Sequence, residues 1–178
     1  MRLLRTIRLD PSDTFVFERA AEPGEWAVPG AFAFLDVDPE SLAGKSRAAF
    51  RSGFLGVSTL GWSTLAQVVE ASDGDRAAAV DLLAERLVAR FGAPDIAMAR
   101  TAAAEEFAFA AALADHQAGT LIAMHRASEN GAIRETFRTL RPHGGAKPAR
   151  AFAFLQVEGE EVAGEAVDLA ALAERHTT

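Results

Sequence analysis

A chain of 178 residues with 49% hydrophobic and 24% charged side chains is long enough for one domain with a substantial apolar core. Its net charge of −7 argues against a dedicated nucleic-acid binder, which needs a broad basic surface to neutralise phosphates. The absence of cysteine excludes disulfides, thiolate nucleophiles and cysteine metal sites.

No run approaches the roughly 20 apolar residues of a membrane span. The basic N-terminal stretch has too short an apolar run for a signal peptide and is interrupted by Asp10-Pro11. A cytoplasmic protein with no membrane contact is expected. Abundant arginine and alanine, with Lys45 and Lys147 the only lysines, suggest a GC-rich bacterial genome.

Leu3–Leu9 reads as a strand and Asp10-Pro11-Ser12-Asp13 as a turn, with proline and aspartate at positions that suit them. Thr14–Glu18 reads as a returning strand, rich in β-branched and aromatic residues. After a loop with Pro23-Gly24 and Pro29-Gly30, Ala31–Val37 is predicted to be a strand covered on both faces. Asp38-Pro39-Glu40 carries a helix-start signal. Ala48–Gly61 is strand-like and punctuated by glycines, and Thr64–Ala71 is a further apolar strand.

Arg76–Phe91 gives the clearest helix, because Val80, Leu83, Leu87 and Phe91 form one apolar stripe and Gly92 suits its C-terminal cap. Pro94 opens a second helix to about Gln117. Leu121–Ala127 reads as a strand, and Asn130-Gly131 is a strong hairpin signal. Ile133–Leu140 is the returning strand on that signal, although Ile133, Phe137 and Leu140 also fit a helical stripe. A loop over Pro142–Gly145, a strand over Ala151–Val157 and a helix over Val167–His176 complete the chain.

Ala31-Phe32-Ala33-Phe34-Leu35 recurs as Ala151-Phe152-Ala153-Phe154-Leu155, 120 positions later. Val157, Glu160 and Ala163-Gly164 match Val37, Glu40 and Ala43-Gly44 in the same register. Asp10-Pro11 then falls opposite Asn130-Gly131. Two readings stay open: a duplicated hairpin, strand and helix unit over about 1–56 and 121–176, with 57–118 between, or two independent uses of Ala-Phe alternation.

Of the chemistry-bearing residues, His116 and His125 lie across a short turn from each other, with Glu105 or Glu106 as conceivable oxygen ligands. No HExxH or tight carboxylate cluster supports a metal site, and a histidine near a helix end is favoured by the helix dipole alone. His143-Gly144-Gly145 is reminiscent of an esterase oxyanion loop, but Gly61-Trp62-Ser63-Thr64-Leu65 lacks the last glycine of a nucleophile elbow. There is no phosphate-binding glycine loop. Adjacent acids such as Glu105-Glu106 and Glu160-Glu161 point to different faces and read as solvated surface. No cofactor is implied.

Arg134, Arg138, Arg141, Lys147 and Arg150 crowd a segment whose one acid is Glu135, while the C-terminal part is strongly acidic. The arginines suit an anionic ligand or an acidic partner, or else pair with the acidic segment or another subunit. Arg2, Arg5 and Arg8 form a second basic stretch. Two phenylalanines and two glycines over Phe50–Gly56 suit either a close approach by a ligand or backbone, or a glycine bulge.

The stretches Arg51–Val57, Gly61–Thr64, Glu135–Pro142 and Ala151–Val157 resemble the signature segments of a bacterial protein family of unknown function. The resemblance spans nearly the whole chain and implies one domain with no assigned activity. The expected fold is α+β: a largely antiparallel sheet from two hairpin-plus-strand units, with two long helices packed on one face. The expected function is a non-enzymatic binding or accessory protein, homo-oligomeric, recognising an anionic small molecule or a protein partner through Arg134, Arg138, Arg141 and Arg150. The alternative is a small enzyme on an anionic metabolite, with His116 or His125 as general acid/base.

Overall fold

The computed structural model describes residues 1–142, 155–161 and 167–168. In β1 (Arg2–Ile7), consecutive Leu3 and Leu4 are both fully buried, so the strand is covered on both faces. It pairs antiparallel with β5 (Leu65–Glu70), from Arg2 opposite Glu70 to Ile7 opposite Leu65. β5 pairs with β6 (Leu121–Glu129), and β6 with β7 (Ala132–Pro142). Asn130 and Gly131 take φ of 52° and 79°, the left-handed pair whose twist suits a two-residue hairpin. The Asn-Gly signal therefore wins over the helical stripe of Ile133, Phe137 and Leu140. β8 (Leu155–Glu161) and β9 (Val167–Asp168) pair with the two ends of β7. A second antiparallel sheet joins β2 (Ala27–Val28), β3 (Phe54–Gly56) and β4 (Trp62–Ser63). The fold is α+β, as expected.

The chain between β5 and β6 forms α3 (Asp73–Arg90) and α4 (Ile96–Leu113). Ser72 Oγ accepts the Asp75 N–H at 3.0 Å while the Asp75 carboxylate accepts the Ser72 N–H at 2.9 Å. This reciprocal cap starts the helix ahead of the expected Arg76. Val80, Leu83 and Leu87 are buried as the stripe requires, and Gly92 closes the helix at φ 74°. The Asp95 carboxylate accepts the Met98 N–H at 2.8 Å and caps α4. Ala99, Ala103, Phe107 and Ala110 form its buried face. Phe109 meets Phe137 of β7 edge-on at 5.8 Å. These elements share one main apolar core. No helix among the described residues is long and apolar enough to cross a membrane.

The region before β5 departs from expectation. Thr14–Glu18 is not a strand; Asp13–Val16 forms a single-turn helix, α1. The buried Asp13 carboxylate accepts the Thr64 N–H at 3.2 Å and hydroxyl at 2.5 Å, which fixes the chain here irrespective of β propensity. Ala31–Val37 is not a strand either, since Ala31–Phe34 winds into a 3-10 turn. A strand would put Phe32 and Phe34 on one face. The turn instead sends Phe32 edge-on to Phe91 at 5.1 Å and stacks Phe34 on Trp62 at 5.2 Å. Asp38 caps as predicted, but only the short turn Pro39–Ser41 follows. Within Ala48–Gly61, the first residues complete α2 (Gly44–Ser52) before β3 begins.

β1 finds its partner in β5, so it forms no hairpin with residues 14–18 to match the β6–β7 one. The expectation of two hairpin-plus-strand units is corrected accordingly. Of the second Ala-Phe stretch, Leu155 opens β8 and Ala151–Phe154 lie outside the described residues. Val167–Asp168 is strand where a helix start was expected, and 169–178 lie outside the described residues.

Candidate functional site

A cavity of about 480 Å³ opens where these unexpected segments meet. Its floor includes Phe34, Ala49, Leu60 and Trp62, and its rim carries Glu18, Arg19, Lys45 and Ser46. The Phe34 and Trp62 rings lie 29° apart, stacked face to face. Close backbone approach sets the rim. Trp62 N–H donates to Arg19 C=O at 2.9 Å, and Ala21 N–H donates to Trp62 C=O at 2.8 Å. A Cβ on Gly61 would stand 2.6 Å from the Ala20 backbone, so only glycine fits there. Arg19 Nη1 donates to Thr59 C=O at 3.1 Å, leaving its other donors for the solvent side. Lys45 and Ser46 come from the first turn of α2, whose Ala43 cap supplies no side-chain hydrogen bond.

Directly beneath lies a buried ion pair. Arg126 is 0% and Glu135 2% exposed. Arg126 Nε donates to Glu135 Oε1 at 2.8 Å, Nη1 to Phe50 C=O at 2.8 Å and Nη2 to Pro29 C=O at 2.6 Å. The guanidinium carbon lies 5.4 Å from the Phe34 ring centre and 5.9 Å from that of Phe50. Burial pushes the Arg126 pKa below its ordinary value, opposed by the negative charge of Glu135 and, more weakly, of Glu106. An arginine so partnered keeps its proton.

A family model described as a family of unknown function, DUF6505, matches residues 1–158. The chain belongs to this family. It matches no curated protein and no solved structure.

In this DUF6505 member three of the four anticipated arginines, Arg134, Arg138 and Arg141, lie on β7. Arg134 and Arg138 are exposed on one face of β7, and strand alternation puts Arg141 on the other. Arg134 Nη1 lies 3.2 Å from Glu129 Oε2. Arg138 is in register with Glu160 and Arg141 with Gln156. Arg150, Lys147 and His143–Gly145 lie outside the described residues. His125 is exposed on β6 and His116 half-buried after α4; neither lines the cavity. Among the described residues no group of acids and histidines is arranged to hold a metal.

Other flagged positions are engaged internally. The buried Ser63 hydroxyl donates to Leu65 C=O at 2.8 Å, which suits structure rather than nucleophilic attack. Arg5 stacks on Trp26 at 3.7 Å, Arg8 donates to Ala21 C=O at 2.6 Å, and Arg2 reaches Asp115 at 3.4 Å. Gly53 abuts Trp62 and Gly56 abuts the Glu25 carboxylate, so the close approaches suggested by Phe50–Gly56 are made within the chain. Glu105 is exposed as expected, whereas Glu106 is half-buried and its charge is felt by Arg126.

Sequence reasoning passed over the buried pair and the cavity. The pair had a legible signal. A tight turn at Asn130-Gly131 sets Arg126 opposite Glu135, with Met124 opposite Phe137 as its apolar neighbours on the same face. A salt pair at two such positions has to be buried. The cavity had no local signal, because its lining comes from four separate segments.

Proposed function

We propose that this DUF6505 member is a non-enzymatic binding or accessory protein that holds a small anionic molecule with an apolar or aromatic body in the Phe34–Trp62 cavity. One observation carries the reading: a cavity of about 480 Å³ with a stacked aromatic floor and two cations, Arg19 and Lys45, against one acid, Glu18, at its rim. The volume falls within the range of about 300–1,000 Å³ usual for ligand sites, which combine an apolar lining with a few polar groups. The aromatic floor would take the ligand body, and Lys45 and Arg19 would meet the anionic group at the mouth.

Titration with anilinonaphthalene sulfonate, an aromatic anion, tests this. Trp26 and Trp62 are the only tryptophans, so Trp26→Phe leaves Trp62 as the sole donor of energy transfer to a probe in the cavity. The double substitution Arg19→Glu, Lys45→Glu is expected to weaken binding by about tenfold or more. Unchanged affinity with unchanged transfer would sink the reading. The β7 arginines offer a second anion-binding surface, because Arg134 and Arg138 share a face with His125. If the probe binds without transfer from Trp62 and is lost on Arg134→Glu, Arg138→Glu, that surface takes its place.

A further inference from the structure

We propose that Arg126 is a positioning residue for the Phe34–Trp62 cavity, holding its two main walls in the arrangement that admits a ligand. The proposal rests on the cavity reading above and deepens it by naming what preorganises the site. One wall, Ala33 and Phe34, belongs to the turn that starts just after Pro29-Gly30. The other, Lys45, Ser46 and Ala49, belongs to α2. Each wall is gripped at one carbonyl by a different nitrogen of the same guanidinium: Pro29 C=O by Nη2 and Phe50 C=O by Nη1. The third arm, Nε, is anchored on Glu135 of β7. A guanidinium is planar and rigid, so three bonds in its plane fix the two carbonyls relative to each other and to the β6–β7 hairpin.

The position of each carbonyl gives the grip its effect. The Phe50 carbonyl is in the last turn of α2, where carbonyls lack helical donors and a cation is favoured by the helix dipole. Pro29 precedes Gly30, whose φ of 77° reverses the chain into the Phe34 turn. The two walls also touch directly, with Phe34 and Phe50 edge-on at 5.2 Å above the guanidinium. Stability alone does not call for such a pair, since apolar side chains of similar volume often replace a buried ion pair without loss. An apolar pair fills the same space but cannot hold two carbonyls at a set distance and angle. A preformed cavity spares the ligand the ordering of its walls, and this is where affinity is gained.

The test compares Arg126→Met, Glu135→Leu with the parent, both carrying Trp26→Phe. Near-ultraviolet circular dichroism and a cooperative thermal transition establish folding. Acrylamide quenching of Trp62 without ligand reports wall geometry, and anilinonaphthalene sulfonate affinity reports the site. The expected result is a folded double variant with Trp62 more readily quenched and the probe bound about tenfold more weakly. A core variant, Leu83→Ala on α3, loses stability away from the cavity lining and should leave both readouts at parent values. A folded double variant with parental quenching and affinity overturns the proposal. If the double variant does not fold, Arg126→Lys decides, because it keeps a cation beside Glu135 but cannot span both carbonyls; parental quenching in that variant also overturns it. If the parent itself binds no probe, the cavity reading fails, and ligand-free quenching alone still decides whether Arg126 positions the walls.

Discussion

Phe107 on α4 and Arg126 on β6 are both completely buried, yet their surroundings differ in kind. Phe107 belongs to the main apolar core with Leu83, Ala103, Ala110, Ile122 and Val68. Arg126 lies beside a smaller cluster of Phe17, Phe34, Ala49, Phe50 and Ile133. There the packing is interrupted by directed bonds from Arg126, and the neighbouring loops are pinned by buried carboxylates. Asp13 holds Thr64, and Glu25 accepts the N–H groups of Glu22, Ser58 and Thr59 at 2.7–2.9 Å. The main core is specified by volume and tolerates exchange of similar shapes. The region around the cavity is specified by geometry, so removing one partner of a directed bond there is costly. The helices α3 and α4 thus belong to the core specified by volume, and the carbonyls of Pro29 and Phe50 to the region of directed bonds.

Introducing methionine in each region tests whether the two are held by different means. Arg126→Met alone leaves the Glu135 carboxylate buried without its cation and should cost about 3–5 kcal/mol in denaturant unfolding. Gly61→Ala comes next, at about 1–3 kcal/mol, because its new Cβ meets backbone rather than a movable side chain. Leu83→Met in the main core should cost less than about 1.5 kcal/mol. If Leu83→Met costs as much as Arg126→Met, the two regions are not held by different means.

The same division explains what could be read in the sequence. Val80, Leu83 and Leu87 announce α3 because a helical period is local, and Asn130-Gly131 announces its hairpin because the turn needs only its own residues. Thr14–Glu18 and Ala31–Val37 look like strands by the same local criteria. Their conformations are instead settled by Thr64 on Asp13, and by Phe91 and Trp62 on either side of the Phe32–Phe34 turn, residues remote in the chain. The cavity inherits that illegibility, since Glu18, Phe34, Lys45 and Trp62 meet only through those contacts. Arg126 and Glu135 were legible once the hairpin register was drawn. Arg126 is distinguished from the arginines of β7 by its apolar neighbours on the strand face.

The smallest effect tests the helical layer by a polar device of its own. Ser72 and Asp75 cap α3 on the exposed surface, far from directed bonds in the interior. Ser72→Ala should cost about 1 kcal/mol, the usual loss of an N-cap hydroxyl. Hydrogen bonds from the Ser72 hydroxyl and N–H hold the Asp75 carboxyl below its ordinary value of 3.8. A carboxyl depressed in the fold adds stability that is present above its unfolded value and is lost as pH falls through its folded value. The stability gap between the parent and Asp75→Asn should therefore be constant near neutral pH and shrink on acidification below about 3.8. The gap between the parent and Leu83→Met should not change over the same range, because that exchange neither adds nor removes a titrating group. Urea unfolding of the three proteins across this pH series measures both gaps. A gap for Asp75→Asn that persists unchanged into strong acid would mean that the carboxylate contributes nothing as a charge and that the Ser72 hydroxyl caps α3 by itself.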